Sequence, residues 1–311
     1  MEKKGVKTTY TVKEKVLAWL RLSRIDHGLM VVLAIITSFW IALESRLEFR
    51  YMDIGQIFVV LSVGCLSGLF TEVSTFILND YFNIEEDRIN APFRPLVKGI
   101  ISRRMAFFAG VSSTAMALLF SLYLLLFIRL STQFAIIVLA LALGLLYDYR
   151  LKRKVFVNNS IVAFLTALPF IYGATLYYDK LCQIPLKNTM FFLIAFFATF
   201  GREVLKGICD KEGDEKVGVK TFATCFGIRV SSHIAVLFFV VAVLFTIPLT
   251  LDSHTPPYSY IYYLFIALTD TIFLYSAIKL MKKVDREVAE ELRKLTLLGM
   301  GLGIISFAFS I

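Results

Sequence analysis

Cysteine is scarce in this 311-residue chain: Cys65, Cys182, Cys209 and Cys225 are the only four, and no two of them form a CxxC pair. That leaves no disulfide framework and no thiolate metal site, and they read as ordinary reduced residues. Histidine is scarcer still, three in all, and His27 has no HExxH neighbour, which argues against a zinc centre. Charged residues make up only 18% of the chain against 58% apolar residues, with a mean hydropathy of +0.72. A soluble domain of this length does not carry that balance. The alternation of polar and apolar positions that barrel staves need is missing too, because the apolar runs are continuous. No cleavable signal sequence is evident at the amino terminus.

What is present is a series of apolar segments near the bilayer requirement of about 20 residues. Nine are expected to span: 28–43, 56–78, 104–126, 132–148, 157–178, 189–208, 231–250, 259–279 and 295–311. The fold class is therefore an all-α, polytopic membrane protein. It divides into an arm over residues 1–24 and a single transmembrane unit over 25–311. Lysines precede Val16, Leu17, Trp19 and Leu20 in the arm, so an amphipathic helix on the inner interface is expected there.

The net charge of +9 needs no nucleic acid to explain it, because the basic residues are sorted by side. With the amino terminus inside, 28 of the 33 Lys and Arg lie on one side of the membrane. The other side carries Arg46, Arg50, Arg129, Lys180 and Lys187. By the positive-inside rule the amino terminus is cytoplasmic and the carboxyl terminus outside, in a multi-pass cell-membrane protein.

The chemistry is concentrated where the second span leaves the membrane, in Asn79 Asp80 Tyr81 Phe82 Asn83 Ile84 Glu85 Glu86 Asp87 Arg88. On a continuous helix Asp87 lies about 20° from Asp80 and Asn83 about 60° away on the same face, one oxygen-rich stripe. Glu85 and Glu86 point elsewhere and are expected to be hydrated or paired. Glu72 lies on the same helix inside the bilayer, where a charge implies a functional or paired role. Pro92 and Pro95 end the helix, and Arg94 and Lys98 follow. At the end of the sixth span Arg202, Glu203, Lys206, Asp210, Glu212 and Asp214 repeat the theme. If the helix persists, Glu203, Lys206, Asp210 and Asp214 share a face within about 80°. Two acid-rich helix ends on one side of the membrane suggest a duplicated architecture. Carboxylates hold a hard cation, and Lys or Arg neutralise the phosphate oxygens that the cation does not, so a magnesium-bridged diphosphate fits both clusters. Tyr147 and Lys152, after the fourth span, are placed at the mouth of a cavity, and Arg24 stands at the first span between an anchoring and a phosphate-binding role. Asp270, inside the eighth span, reads as a satisfied polar residue.

These residues carry a resemblance. Asn79 Asp80 to Asp87 resembles the NDxxDxxxD motif of the UbiA superfamily of intramembrane prenyltransferases, and Asp210 to Asp214 matches its second motif, DxxxD. Arg94 Pro95, the stretch from Tyr147 to Lys152, and Lys220 Thr221 look like that family's flanking positions. The resemblance implies a nine-helix bundle with a central cavity opening at the cytoplasmic side, Mg2+ dependence, and prenyl transfer from a prenyl diphosphate to a lipophilic acceptor. Carried over by position, Asp80, Asp87, Asp210 and Asp214 are the catalytic, metal and diphosphate residues, and Asn79 orients the first motif. Arg24, Arg94, Lys152 and Lys206 become phosphate contacts, with Tyr147 at the substrate. Three departures stand out. Asn83 replaces the usual second Asp and offers the metal a neutral carbonyl ligand, so Asn83→Asp is expected to preserve activity. Lys98, where a small residue is common, adds a phosphate contact, and His27 replaces a frequent Asn. The two motif stretches look like those of archaeal enzymes making geranylgeranylglyceryl ether lipids, with aromatic acceptors such as 4-hydroxybenzoate as the alternative. A reading of another class, a cation-coupled transporter, is disfavoured because the charges sit at helix ends rather than on broken helices at the midplane.

Overall fold

The structure is a computed structural model that describes residues 10–45, 52–251 and 259–310. Lys3, Lys4 and Lys7 of the arm, Arg46, Arg50 and Ile311 lie outside the described residues. Among the described residues the regular structure is all helical. It comprises α1 (Val12–Leu22), α2 (Ile25–Glu44), α3 (Ile54–Phe82), α4 (Ile84–Asn90), α5 (Arg103–Tyr123), α6 (Ser131–Tyr149), α7 (Val155–Ala167), α8 (Pro169–Thr175), α9 (Leu186–Cys209), α10 (Lys211–Val217), α11 (Phe222–Thr250), α12 (Ser259–Lys282) and α13 (Arg286–Ala308).

Among the described residues seven segments are long and apolar enough to cross a membrane: α2, α3, α5 with the π-turn Leu124–Ile128 that extends it, α6, α7 together with α8, α11 and α12. Two further helices, α9 with 24 residues and α13 with 23, reach spanning length but carry charge at one end. Helices overrun the apolar windows read from the sequence because charged turns continue the same hydrogen-bond ladder. α13 starts at Arg286, nine residues ahead of the expected boundary. α11 starts at Phe222 and bends at Gly227, whose φ of 81° lies in the left-handed half of backbone space.

Packing closes the long helices into a ring, α2 to α3 to α6 to α7 to α9 to α13 and back to α2. α5 covers α3 and α6 from outside, and α11 and α12 cover α9 and α13. In hydrocarbon the backbone and polar side chains must find partners within the protein. Ser38 and Asn188 do so together: the Asn188 amide donates to the Ser38 carbonyl at 2.9 Å and to its hydroxyl at 2.7 Å, and that hydroxyl donates on to the Phe170 carbonyl. Asp270 likewise accepts from the Thr246 hydroxyl at 2.8 Å, the satisfied polar role expected of it.

On the side where α3 and α9 end, α1 is capped by a Thr11–Glu14 capping box and packs Ala18 and Leu22 against Ile77, Leu96 and Ile101. Val16, Leu17 and Leu20 stay exposed beside Lys13 and Lys15.

α2 and α8 meet most closely at Gly173, where an added Cβ would stand 2.5 Å from the Ile35 carbonyl oxygen and 3.0 Å from its Cα. Backbone atoms cannot rotate aside, so Gly173→Ala must push the helices apart, at a cost of about 1–3 kcal/mol. Gly173→Ala is expected to lower the melting temperature of the detergent-purified protein by several degrees. Gly301→Ala, whose nearest neighbour would be Met30 at 3.8 Å, is expected to leave it unchanged.

Candidate active site

Neither acidic motif lies on one straight helix. α3 stops at Phe82, Asn83 takes φ −100° and ψ 17°, and the seven-residue α4 begins beyond it. α9 stops at Cys209, Asp210 takes φ −92° and ψ 0°, and the seven-residue α10 follows. Both bend residues occupy the sparsely populated bridge region, which recurs at active sites. The helical bonds carry through each bend: Asp87 N–H to the Asn83 carbonyl and Asp214 N–H to the Asp210 carbonyl, both 2.9 Å. Spacing on an ideal helix therefore described these faces incompletely. What brings Asp80 and Asp87 together is a cation.

Arg94 reaches back from the loop after α4 and places one nitrogen, Nη1, 2.6 Å from Asp80 Oδ1 and 2.5 Å from Asp87 Oδ2. Asp80 is almost fully buried, its side chain 4% exposed, and Arg24 adds a second guanidinium at 3.4 Å. Arg24 is one of only two non-glycine residues with positive φ among the described residues, at 44°, and its guanidinium stacks over the Phe76 ring at 4.2 Å. That left-handed backbone costs energy, which the ion pair and the cation–π contact offset. Burial raises the Asp87 carboxyl above its ordinary range, and the Arg94 guanidinium only partly opposes this.

The end of α6 and the turn after it splint the first bend. Asn79 donates its amide to Asp148 Oδ1 at 2.6 Å, Asn83 donates to the same oxygen at 3.2 Å and to the Asn79 carbonyl at 2.7 Å, and Lys152 pairs with Glu86. Tyr147 donates to Asn158, whose amide in turn holds the Lys152 carbonyl. Glu85 pairs with Arg88, so both outlying acids of the first motif are paired.

At the second bend Arg293 of α13 comes to 4.0 Å from Asp210, and Arg286 to 3.5 Å from Glu212. Lys206 and Arg202 both neutralise the buried Glu203, at 3.4 and 3.7 Å. The two motifs then touch. Asn90, the last residue of α4, donates to Asp214 Oδ1 at 3.1 Å, and its side chain fills the space that a Cβ on Gly213 would take. Burial, with the neighbouring Asp210 charge, pushes the Asp214 carboxyl up to about 6.

The structure thus gathers the first-motif residues into three contact sets, Arg24, Asp80, Arg94 and Asp87, then Asn79 and Asn83 on Asp148, then Lys152 on Glu86, and Asp214 meets the end of α4 through Asn90. Lys98 stands apart: its side chain is exposed and its carbonyl accepts from Tyr10. Sequence reasoning missed Asp148, Asn90 and Gly213. The signal for Asp148 was its place at a helix C-terminus, where the helix dipole disfavours an acid and so demands a partner.

Two carboxylate oxygens converging on one cationic nitrogen suit a small hard cation. Among the described residues no three His, Cys, Asp or Glu side chains stand close enough to hold a metal by themselves. A cation held here would draw its remaining ligands from water and substrate oxygens, as Mg2+ commonly does.

Residues 29–298 match the UbiA prenyltransferase family. A digeranylgeranylglyceryl phosphate synthase of Archaeoglobus fulgidus is 32% identical over 288 residues, covering 92% of each chain. A solved structure of a digeranylgeranylglyceryl phosphate synthase in membranes is 25% identical, with a TM-score of 0.69 over 96% of this chain and 100% of its own. A UbiA homolog from Archaeoglobus fulgidus bound to GPP and Mg2+ shares the fold, with a TM-score of 0.60 at 17% identity over 94% of this chain and 100% of its own. Both acidic bends lie inside the matched region, and the chain belongs to the UbiA prenyltransferase family.

Proposed function

We propose that this chain is a membrane-embedded, Mg2+-dependent prenyltransferase that moves a geranylgeranyl group from its diphosphate to the free hydroxyl of a geranylgeranylglyceryl phosphate. The observation that carries the reaction class is the meeting of two carboxylate pairs at one mouth, interleaved with guanidinium and ammonium groups. The choice of acceptor follows the archaeal relatives, among them the Archaeoglobus fulgidus enzyme that is named for that product. The nine long helices are read as nine crossings around a central cavity, with the amino terminus and the acidic mouth cytoplasmic and the carboxyl terminus outside. The basic residues concentrated at that mouth support this orientation.

Asp80 and Asp87, with the Asn83 carbonyl, form the first cation-holding set, and Asp210 and Asp214 the second. Bound between these residues, Mg2+ supplies the charge neutralisation that lets diphosphate leave. Arg24 already sits at Asp80, and its remaining N–H donors reach the diphosphate oxygens; Arg94 would give up its place between Asp80 and Asp87 to the metal and turn to those oxygens, and Lys152 and Lys206, each held by one glutamate, sit at the rim for the same purpose. The carbon–oxygen bond to diphosphate breaks, its electron pair leaving with the phosphate. The allylic cation is captured by the acceptor oxygen, and that hydroxyl loses its proton. The helix ring keeps water from the cation.

Purified protein given labelled geranylgeranyl diphosphate, geranylgeranylglyceryl phosphate and Mg2+ is expected to form the diether. A product with 4-hydroxybenzoate alone would reverse the choice of acceptor. Asp80→Ala and Asp210→Ala are each expected to lower turnover by about two orders of magnitude or more; full turnover in either would remove that residue from the site. Because burial raises Asp214 to about 6, its carboxylate is lost as pH falls through that value. The KM for Mg2+ is therefore expected to rise steeply below about pH 6 and to stay flat there in Asp214→Asn, as read from Mg2+ titrations across pH.

A further inference from the structure

Asp148 belongs to neither motif and has no assigned role, yet it is the hydrogen-bond acceptor on which the first motif closes. One of its oxygens, Oδ1, accepts from the Asn79 amide at 2.6 Å and from the Asn83 amide at 3.2 Å. A carboxylate only accepts, so both asparagines must present their NH2 groups to it and turn their carbonyl oxygens away. Asn83 sits at the bend between α3 and α4, where the amide also ties back to the Asn79 carbonyl at 2.7 Å. Asp148 reaches across from α6, an element separate from either motif, and Lys152, four residues on, pairs with Glu86 beyond the bend. The first motif is thereby gripped on α3, at the bend and on α4 by one short stretch of chain.

This geometry bears on the departure of this sequence from its family at position 83. A carboxylate there would stand about as close to Asp148 as the present amide nitrogen does, two like charges in a half-buried site. Neutralising position 83 and placing a carboxylate at 148 keeps one acceptor and one donor across the contact.

We propose that Asp148 is a positioning residue for the first acidic motif, and that residues 83 and 148 form a linked pair in which one member must be a carboxylate and the other an amide. Asp148 acts through Asn79 and Asn83, fixing which way their amides face, and does not itself take a metal. The proposal reverses the expectation drawn from the sequence alone that Asn83→Asp is tolerated. The swapped pair, Asn83→Asp with Asp148→Asn, removes the like-charge contact and again sets one carboxylate against one amide; because Asn79 and Asn83 share Asp148 Oδ1, the amide nitrogen placed at 148 has to stand there and donate to the carboxylate at 83, with Asn79 turning over to present its carbonyl, and the bond from position 83 to the Asn79 backbone carbonyl is given up.

The catalytic readout rests on the prenyl-transfer reading; the melting readout does not. Four proteins are compared: wild type, Asn83→Asp, Asp148→Asn and the swapped double variant, each assayed for KM of Mg2+, kcat with geranylgeranyl diphosphate, and melting temperature in detergent without metal. Asn83→Asp is expected to lower the metal-free melting temperature and to raise the KM for Mg2+ about tenfold or more, as loss of a ligand-orienting contact does. Asp148→Asn is expected to raise that KM with a smaller change in kcat. The double variant is expected to recover part of the melting temperature and part of the KM lost in Asn83→Asp, the signature of coupled neighbours. A double variant no better than the worse single one would overturn the proposal, as would Asn83→Asp melting and binding Mg2+ like wild type. Absence of prenyl transfer in the wild type with melting rescue intact would instead sink the reaction while leaving the linked pair standing.

Discussion

One guanidinium nitrogen holds Asp80 and Asp87 in place, and the rest of the mouth depends on it. The two carboxylates lie on opposite sides of the bend at Asn83, on α3 and α4, and Arg94 Nη1 is the atom both of them touch. Without it, two buried acids would face each other with only Arg24 nearby, at 3.4 Å from one of them. Removing one partner from such a buried pair costs about 3–5 kcal/mol, because the remaining charge is left unpaired. The bend is what places the carboxylates so that they need a cation between them.

The second motif is built on the same plan. Asp210 bends α9 into α10 as Asn83 bends α3 into α4, and Arg293 with Arg286 from α13 takes the part that Asp148 and Lys152 play beside the first bend. In each case a helix distant in sequence supplies the side chains that hold the bent segment, so the local conformation is paid for by long-range packing. The two short helices then dock through Asn90 and Asp214, with Gly213 leaving room for the Asn90 side chain. A site assembled this way draws Asp80 and Asp87 together on one guanidinium nitrogen and sets Asp214 against Asn90, with Arg293 near Asp210.

Much of this architecture was legible in the chain, for identifiable reasons. Continuous apolar runs disclose spanning helices because lipid leaves the backbone no other solution, and each of the nine expected segments does correspond to helix among the described residues. The pairing of Asn79–Asp87 with Asp210–Asp214 was legible because carboxylates at a membrane helix end are costly without a task. The bends were not legible, since Asn83 and Asp210 are ordinary residues in helix-compatible surroundings and their bridge-region dihedrals arise from contacts with α6 and α13. Asp148 was concealed for a similar reason. It stands beside Tyr149, Arg150, Lys152, Arg153 and Lys154 in a run that reads as a solvated inside loop, and only the fold turns it toward Asn79. The charged first turns of α13 were clipped by hydropathy, and with them the reach of Arg293 toward Asp210.

The central claim is that the place now held by the Arg94 nitrogen between Asp80 and Asp87 is a cation site that substrate hands over to metal. The most direct measurement is an experimental structure with Mn2+ in place of Mg2+ and an uncleavable geranylgeranyl thiodiphosphate, the metal located by its anomalous signal. The account predicts a metal peak bridging Asp80 and Asp87, with Arg94 moved onto the diphosphate oxygens. Arg94 still bridging the two carboxylates, with the metal bound elsewhere, would contradict it.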